Sequence, residues 1–139
     1  MKRQDKTEAV IKWAKTWPQL EDYLKLNAIL TDDGEASLNT IGTEKTGDLF
    51  IDGTPKYLEY TFMFKMVLPW SDGYDEINAD AQKLMEGWMD WVDDQFPANV
   101  PEIGEVESIE AVASEPTIMV YQEDSLAEYN FICKIRYNE

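Results

Sequence analysis

The sequence predicts an α+β fold, with an antiparallel sheet of about four or more strands, two helices packed on one face and a protruding β-arm. Two long segments, 57–70 and 126–137, alternate apolar and polar side chains, which is typical of strands with one buried face. Segment 75–95 repeats apolar residues every three or four positions, which indicates an amphipathic helix. A length of 139 residues favours a single domain over residues 1–139.

Both long strands have one face that is entirely apolar or aromatic. In the first strand this face is Leu58, Tyr60, Phe62, Phe64, Met66 and Leu68. In the second strand it is Ala127, Tyr129, Phe131, Cys133, Ile135 and Tyr137. Pro69 has no N–H group to donate, so we expect pairing of the first strand to end there.

Two helices are predicted to cover the sheet. Segment 5–17 places its apolar residues at helical spacing, and Asp5 with Glu8 is predicted as a capping pair. The second helix, 75–95, is expected to stop at Phe96-Pro97. Asp93 and Asp94 at its end oppose the helix dipole. This arrangement favours either a solvated acidic face or a basic partner outside the helix.

The segment before the first long strand is predicted to form the arm, over residues 42–56. Its glycines and Pro55 flank Leu49, Phe50 and Ile51, and Asp52-Gly53 is a hairpin-type turn. Three successive apolar residues in such a segment indicate either an edge strand folded back on the sheet or a contact for another subunit.

The remaining segments are less regular. Residues 19–30 are predicted as a short helix or a packed loop, and residues 36–41 as a short strand. Segment 106–113 has strand character, but Val106 and Val112 lie on the opposite parity from Ile109 and Ala111. Segment 117–121 is rich in residues that favour strands.

The chain is strongly acidic, with 28 acidic and 12 basic residues and a net charge of −16. Between residues 72 and 124, 15 residues are acidic and Lys83 is the sole base. Binding to a phosphate backbone is therefore disfavoured. The charge indicates either a solubilising surface or a surface that repels DNA, mimics DNA or meets a basic partner.

The composition argues against catalysis. The chain has no histidine, and its one cysteine, Cys133, lies in a strand pattern that predicts a packed thiol. Phosphate-binding and dinucleotide-binding glycine motifs are missing, and the acidic turn at 31–34 lacks the ligand spacing of a calcium loop. We predict no enzyme activity, no cofactor and no metal. We also expect no secretory leader and no membrane span, and therefore synthesis in the cytosol.

The order of motifs after the N-terminal helix carries a family resemblance. The motifs are Ser37-Leu38-Asn39, Phe50-Ile51-Asp52-Gly53, Tyr60-Thr61-Phe62-Met63-Phe64, Trp88-Met89-Asp90-Trp91-Val92, Phe96-Pro97 and Tyr129-Asn130-Phe131-Ile132-Cys133-Lys134-Ile135-Arg136-Tyr137. Over nearly its whole length, the chain resembles the minor capsid and tail terminator proteins of long-tailed bacteriophages and prophages of Gram-positive bacteria.

The resemblance implies a structural virion protein at the tail or head–tail junction, assembled in the host cytoplasm. Members form rings, typically hexameric, that cap the tail tube and join it to the head connector, and DNA crosses without sequence recognition. Leu49, Phe50 and Ile51 would then contact a neighbouring subunit or the tube, and Trp70 would act as a rim anchor or as a core residue. The acidity exceeds that expected of a generic member, which leaves open a monomeric acidic DNA mimic or regulatory protein that inhibits a basic partner.

Overall fold

The structure is a computed structural model. It describes residues 2–20, 24–53, 55–73, 75–112, 116–121 and 125–138, without the side chains of 46–49 and 55–56. The elements in chain order are α1 (Arg3–Ala14), β1 (Leu24–Leu26), β2 (Ala36–Leu49), β3 (Pro55–Pro69), α2 (Asp75–Asp94), β4 (Glu105–Ala111), β5 (Thr117–Tyr121) and β6 (Leu126–Asn138). The predicted α+β fold is confirmed.

The six strands form one mixed sheet in the order β1-β2-β3-β6-β4, and β5 also pairs with β6. All pairings are antiparallel except that of β1 with β2, which is parallel, so the predicted antiparallel sheet gains one parallel strand at this edge. The prediction of a short helix or packed loop at 19–30 missed β1. A strand of three residues is too short to show a period of two, and its partner lies further along the chain.

The two long predicted strands, β3 and β6, are neighbours at the centre of the sheet. Their pairing runs from Leu58 opposite Tyr137 to Pro69 opposite Leu126, so it ends at the predicted proline. The apolar face predicted for β6 is buried throughout. On β3, Leu58 is half-buried against the core and the other five predicted residues are buried.

Both helices pack on this apolar face, as predicted. Trp13 of α1 meets Phe62 edge to face, with ring centroids 6.2 Å apart. Trp17, just after α1, meets Phe64 in the same way at 5.9 Å. Trp88 of α2 packs on Phe64 from the same side, so β3 carries both helices. The side chains of Val10, Met85 and Val92 are fully buried with them.

The start of α1 differs from the prediction. The helix begins at Arg3 after Lys2, and no side chain caps its first turn, so the predicted capping pair of Asp5 and Glu8 is wrong. Asp5 instead lies inside the first turn, where its charge favours the helix dipole without a capping hydrogen bond.

The segments predicted as a short strand at 36–41 and an arm at 42–56 form one hairpin. β2 runs without interruption from Ala36 to Leu49 against β3, with register shifts after Thr40 and Thr46. Pairing with β3 is what extends the strand through a glycine-containing polar stretch. Projection of this hairpin from the body of the protein stays a prediction.

A bulge explains the conflicting parity in the fourth strand. The register of β4 against β6 shifts between Val106 and Ser108. The extra residue turns Val106 toward the same side as Ile109, and both pack against the core. An alternation of apolar and polar residues that shifts by one position is therefore the pattern of a bulged strand.

Candidate interaction surfaces

The turn between β2 and β3 presents apolar side chains to solvent. Gly53 donates its backbone N–H to the carbonyl of Phe50 at 2.9 Å and adopts a φ of +88°, which closes the turn. Ile51 is fully exposed and Phe50 is 54% exposed. The side chain of Leu49, the third predicted contact residue, lies outside the described side chains.

Trp70 lies at the other end of β3 from this turn. β3 contains 15 residues, and at about 3.3 Å per residue it separates the two by roughly 45–50 Å. The indole of Trp70 is half-buried against the core, and its backbone N–H donates to the carbonyl of Ser125 at 2.9 Å. The four predicted contact residues thus form two separate regions.

A first cleft, of about 420 Å³, lies between α1 and the loop after α2. Trp13 and Trp91 form its apolar floor, with ring centroids 5.2 Å apart. The indole N–H of Trp13 donates to the carbonyl of Asn99 at 2.9 Å and holds the loop against α1. The rest of the apolar lining is Ala9, Val100 and Pro101, and the polar members are Lys12, Thr16, Gln95, Asn99 and Glu102.

A second, more open cleft of about 610 Å³ lies on the other side of Trp91. It runs between the Trp17-Pro18-Gln19 segment and the outer side of α2. Its floor includes Leu84 and Gly87, and a Cβ added at Gly87 would have no atom within 4 Å. Asp80, Asp90 and Asp94 line it, together with Lys83. Because Trp91 lines both clefts, they form one surface, which we call the Trp91 groove.

The face of the sheet opposite the helices carries paired charges. The Lys65 amine lies 3.7 Å from the Glu128 carboxylate and donates to the Ala28 carbonyl at 3.0 Å. Glu59 pairs with Lys134 at 3.3 Å and with Arg136 at 3.7 Å. Lys25 pairs with Glu35. Each of these three carboxylates therefore has a basic partner.

The acids of α2 are arranged differently. This helix carries seven carboxylates and one lysine, and no basic residue lies in its last turn. Asp90, Asp93 and Asp94 are exposed, and the four ion pairs given above involve other acids. With seven acids and one lysine, α2 alone carries a net charge of −6.

Cys133 and Tyr121 are among the residues whose pKa values are raised. Burial raises the pKa of the Cys133 thiol far above its ordinary value, a rise that a contact with Trp88 partly opposes. Burial, with a smaller contribution from nearby Glu128, raises the pKa of Tyr121. Cys133 is fully buried, as predicted for a packed thiol.

The described residues contain no group of three or more histidine, cysteine or acidic side chains placed to hold a metal ion. Within the same residues, no helix is long and apolar enough to cross a bilayer. No protein-family model and no curated protein matches the chain.

Sequence reasoning missed the Trp91 groove. Its walls come from three separate segments, 9–19, 80–95 and 99–102. One local signal was available, because Asp90, Asp93 and Asp94 crowd the end of a helix where basic residues are favoured.

Proposed function

We propose that the protein is a structural virion protein of the tail or head–tail junction, a tail terminator that assembles as a ring on the tail tube. The resemblance implies a ring, typically of six copies, with the tube and head-connector proteins as partners, and location in the virion after assembly in the bacterial cytoplasm. Support comes from the order of elements, in which a helix, a short strand, a long hairpin, a long helix and three strands follow one another.

The observation that carries the proposal is the exposed apolar turn at residues 50–53 on a rigid support. β3 pairs with β6 only from Leu58 onward, whereas its pairing with β2 continues to Pro55. The turn is thus held by the two-stranded end of a hairpin whose other end is fixed in the core. A fully exposed Ile51 at this place is suited to burial against a neighbouring subunit or the tube.

The net charge fits the same role. A ring with −16 per copy repels the phosphate backbone, so DNA would pass through without being retained. Recognition of DNA sequence is not required for such passage.

The test replaces Leu49, Phe50 and Ile51 with serine and follows ring formation on purified tail tubes by electron microscopy. We expect assembly to be lost while circular dichroism reports an intact fold, because Phe50 and Ile51 are exposed and exposed side chains contribute little to stability. The matched control is Ile29→Ser, which removes an isoleucine that is 88% exposed in the loop between β1 and β2. This control should assemble normally.

Two results would contradict the proposal at different levels. Normal ring formation by the triple variant refutes the hairpin contact alone. A stable wild-type monomer that does not assemble on tail tubes, and that binds a DNA-binding enzyme tightly, refutes the ring and favours the acidic inhibitor.

A further inference from the structure

The Trp91 groove has an apolar floor that is partly open to solvent at Trp91 and fixed in place. The Trp91 ring is half-buried and lies 5.2 Å from the rings of both Trp13 and Trp88, so its orientation is set by the core. Its other surroundings are the two clefts. A cleft of about 420 Å³ is within the range that accepts a ligand group. The floor is suited to an aliphatic or aromatic side chain.

The walls of the groove are preformed. The Trp13 indole N–H holds Asn99, and the Gln95 side-chain amide donates to the Trp91 carbonyl at 2.8 Å. These bonds tie the loop after α2 to both helices. A ligand would therefore not have to order this loop on binding, which lowers the entropic cost of association.

The rim of the groove is acidic. Asp80, Asp90, Asp94 and Glu102 line it against two lysines, Lys12 and Lys83. The C-terminal end of α2 adds the negative end of the helix dipole at the same place. Because Asp90 and Asp94 are exposed and the ion pairs among the described residues involve other acids, both carboxylates can receive cations.

We propose that the Trp91 groove binds a cationic amphipathic peptide segment of a partner protein. An apolar side chain of the segment packs on Trp91, and lysine or arginine side chains pair with Asp90 and Asp94. Charge complementarity selects this occupant, since the same rim repels nucleic acid and acidic peptides. The groove exists within a single chain, so the inference does not depend on ring formation.

The probe is a synthetic lysine–leucine peptide without tryptophan, designed as an amphipathic helix. Its binding is measured by titration calorimetry and by the change in protein tryptophan fluorescence. We expect saturable binding that weakens as salt rises. A glutamate–leucine peptide of the same pattern and a DNA duplex should not bind.

Two variants test the site. Gly87→Leu places a side chain in the open second cleft and should lower affinity at least about tenfold by excluding the apolar side chain. Its control is Gly87→Ala, which also removes the glycine but leaves most of the space free. Asp90→Asn with Asp94→Asn should lower affinity about three- to tenfold and reduce the salt dependence. Its control, Glu105→Gln with Glu110→Gln, makes the same change in charge on β4, outside the groove.

The outcome can overturn the proposal in three ways. Equal loss of affinity in the α2 and β4 charge variants would show general electrostatic attraction and refute a groove site. Unchanged affinity in Gly87→Leu would refute an apolar contact beside Trp91. The proposal that a cationic peptide occupies the groove would be refuted if the wild type did not bind the lysine–leucine peptide. It would also be refuted if the glutamate–leucine peptide or the duplex bound equally well.

Discussion

The ring of Phe64 in β3 stacks on the indole of Trp88 in α2, with centroids 3.9 Å apart and planes 9° from parallel. Both side chains are fully buried. Trp17 packs edge-on against the same indole at 5.3 Å, so one tryptophan joins the sheet, α2 and the segment after α1. Trp91 lies three residues further along α2. The stacked pair therefore also sets the position of the groove floor.

Phe64 and Trp88 should be energetically coupled. We expect Phe64→Leu and Trp88→Leu each to lower the free energy of unfolding by about 1–3 kcal/mol, through lost core packing. The double variant should lose less than the sum by about 0.5–1.5 kcal/mol, because the stacking contact is removed only once. Urea unfolding of the four proteins measures this difference. As a control, the losses of free energy of unfolding in Phe64→Leu and Ile135→Val, a distant core position, should add in the double variant. If the losses in Phe64→Leu and Trp88→Leu also add, the coupling is refuted.

Two glycines should respond oppositely to alanine. Gly87→Ala should raise the free energy of unfolding by up to about 1 kcal/mol, because alanine is the better helix former and its Cβ enters open space. Gly53→Ala should lower it by about 1–2 kcal/mol, because φ is +88° there although its Cβ would also meet open space. Thermal and urea unfolding measure both changes. A rise for Gly53→Ala would show that the turn relaxes. A fall for Gly87→Ala would show that α2 requires glycine at this interior position.

The protein should lose stability above pH 9. The ordinary pKa of the thiol is 9.0, and burial raises the pKa of Cys133 in the folded chain. Below pH 9 the thiol is protonated in both the folded and the unfolded chain, so its titration does not lower the free energy of unfolding there. Above that pH the unfolded chain releases the proton while the folded chain keeps it, and stability falls by up to about 1.4 kcal/mol per pH unit. Buried Tyr60 and Tyr129, whose pKa values are raised above 10.0, extend the fall above pH 10.

The contribution of the thiol can be isolated with Cys133→Ala. This variant should be less stable at pH 8 because it leaves a cavity, yet its stability should stay nearly constant between pH 9 and pH 10. Urea unfolding across this range compares its slope with that of the wild type. Equal slopes would show that the thiol does not cause the loss.

The sequence predicted the helices and strands that bury one face and expose the other, because their pattern is visible among neighbouring residues. The strand faces around Phe64 and Phe131 and the buried stripe containing Trp88 were predicted correctly, since burial on one face imposes a period of two or 3.6 on neighbouring residues. The same reasoning failed for Thr43 to Lys45 of β2, whose side chains are exposed. There the strand depends on hydrogen bonds to β3, which no local apolar pattern reports.

By itself the sequence determined the α+β class, the core faces, the buried cysteine and the concentration of acids between residues 72 and 124. Only the tertiary structure decided the strand order, the parallel β1, the separation of Trp70 from the turn at Phe50 and the groove around Trp91. The physical reason is sequence distance. Trp13 and Asn99 are 86 positions apart and meet only because both helices pack on one sheet face, which side-chain periodicity within a segment does not encode.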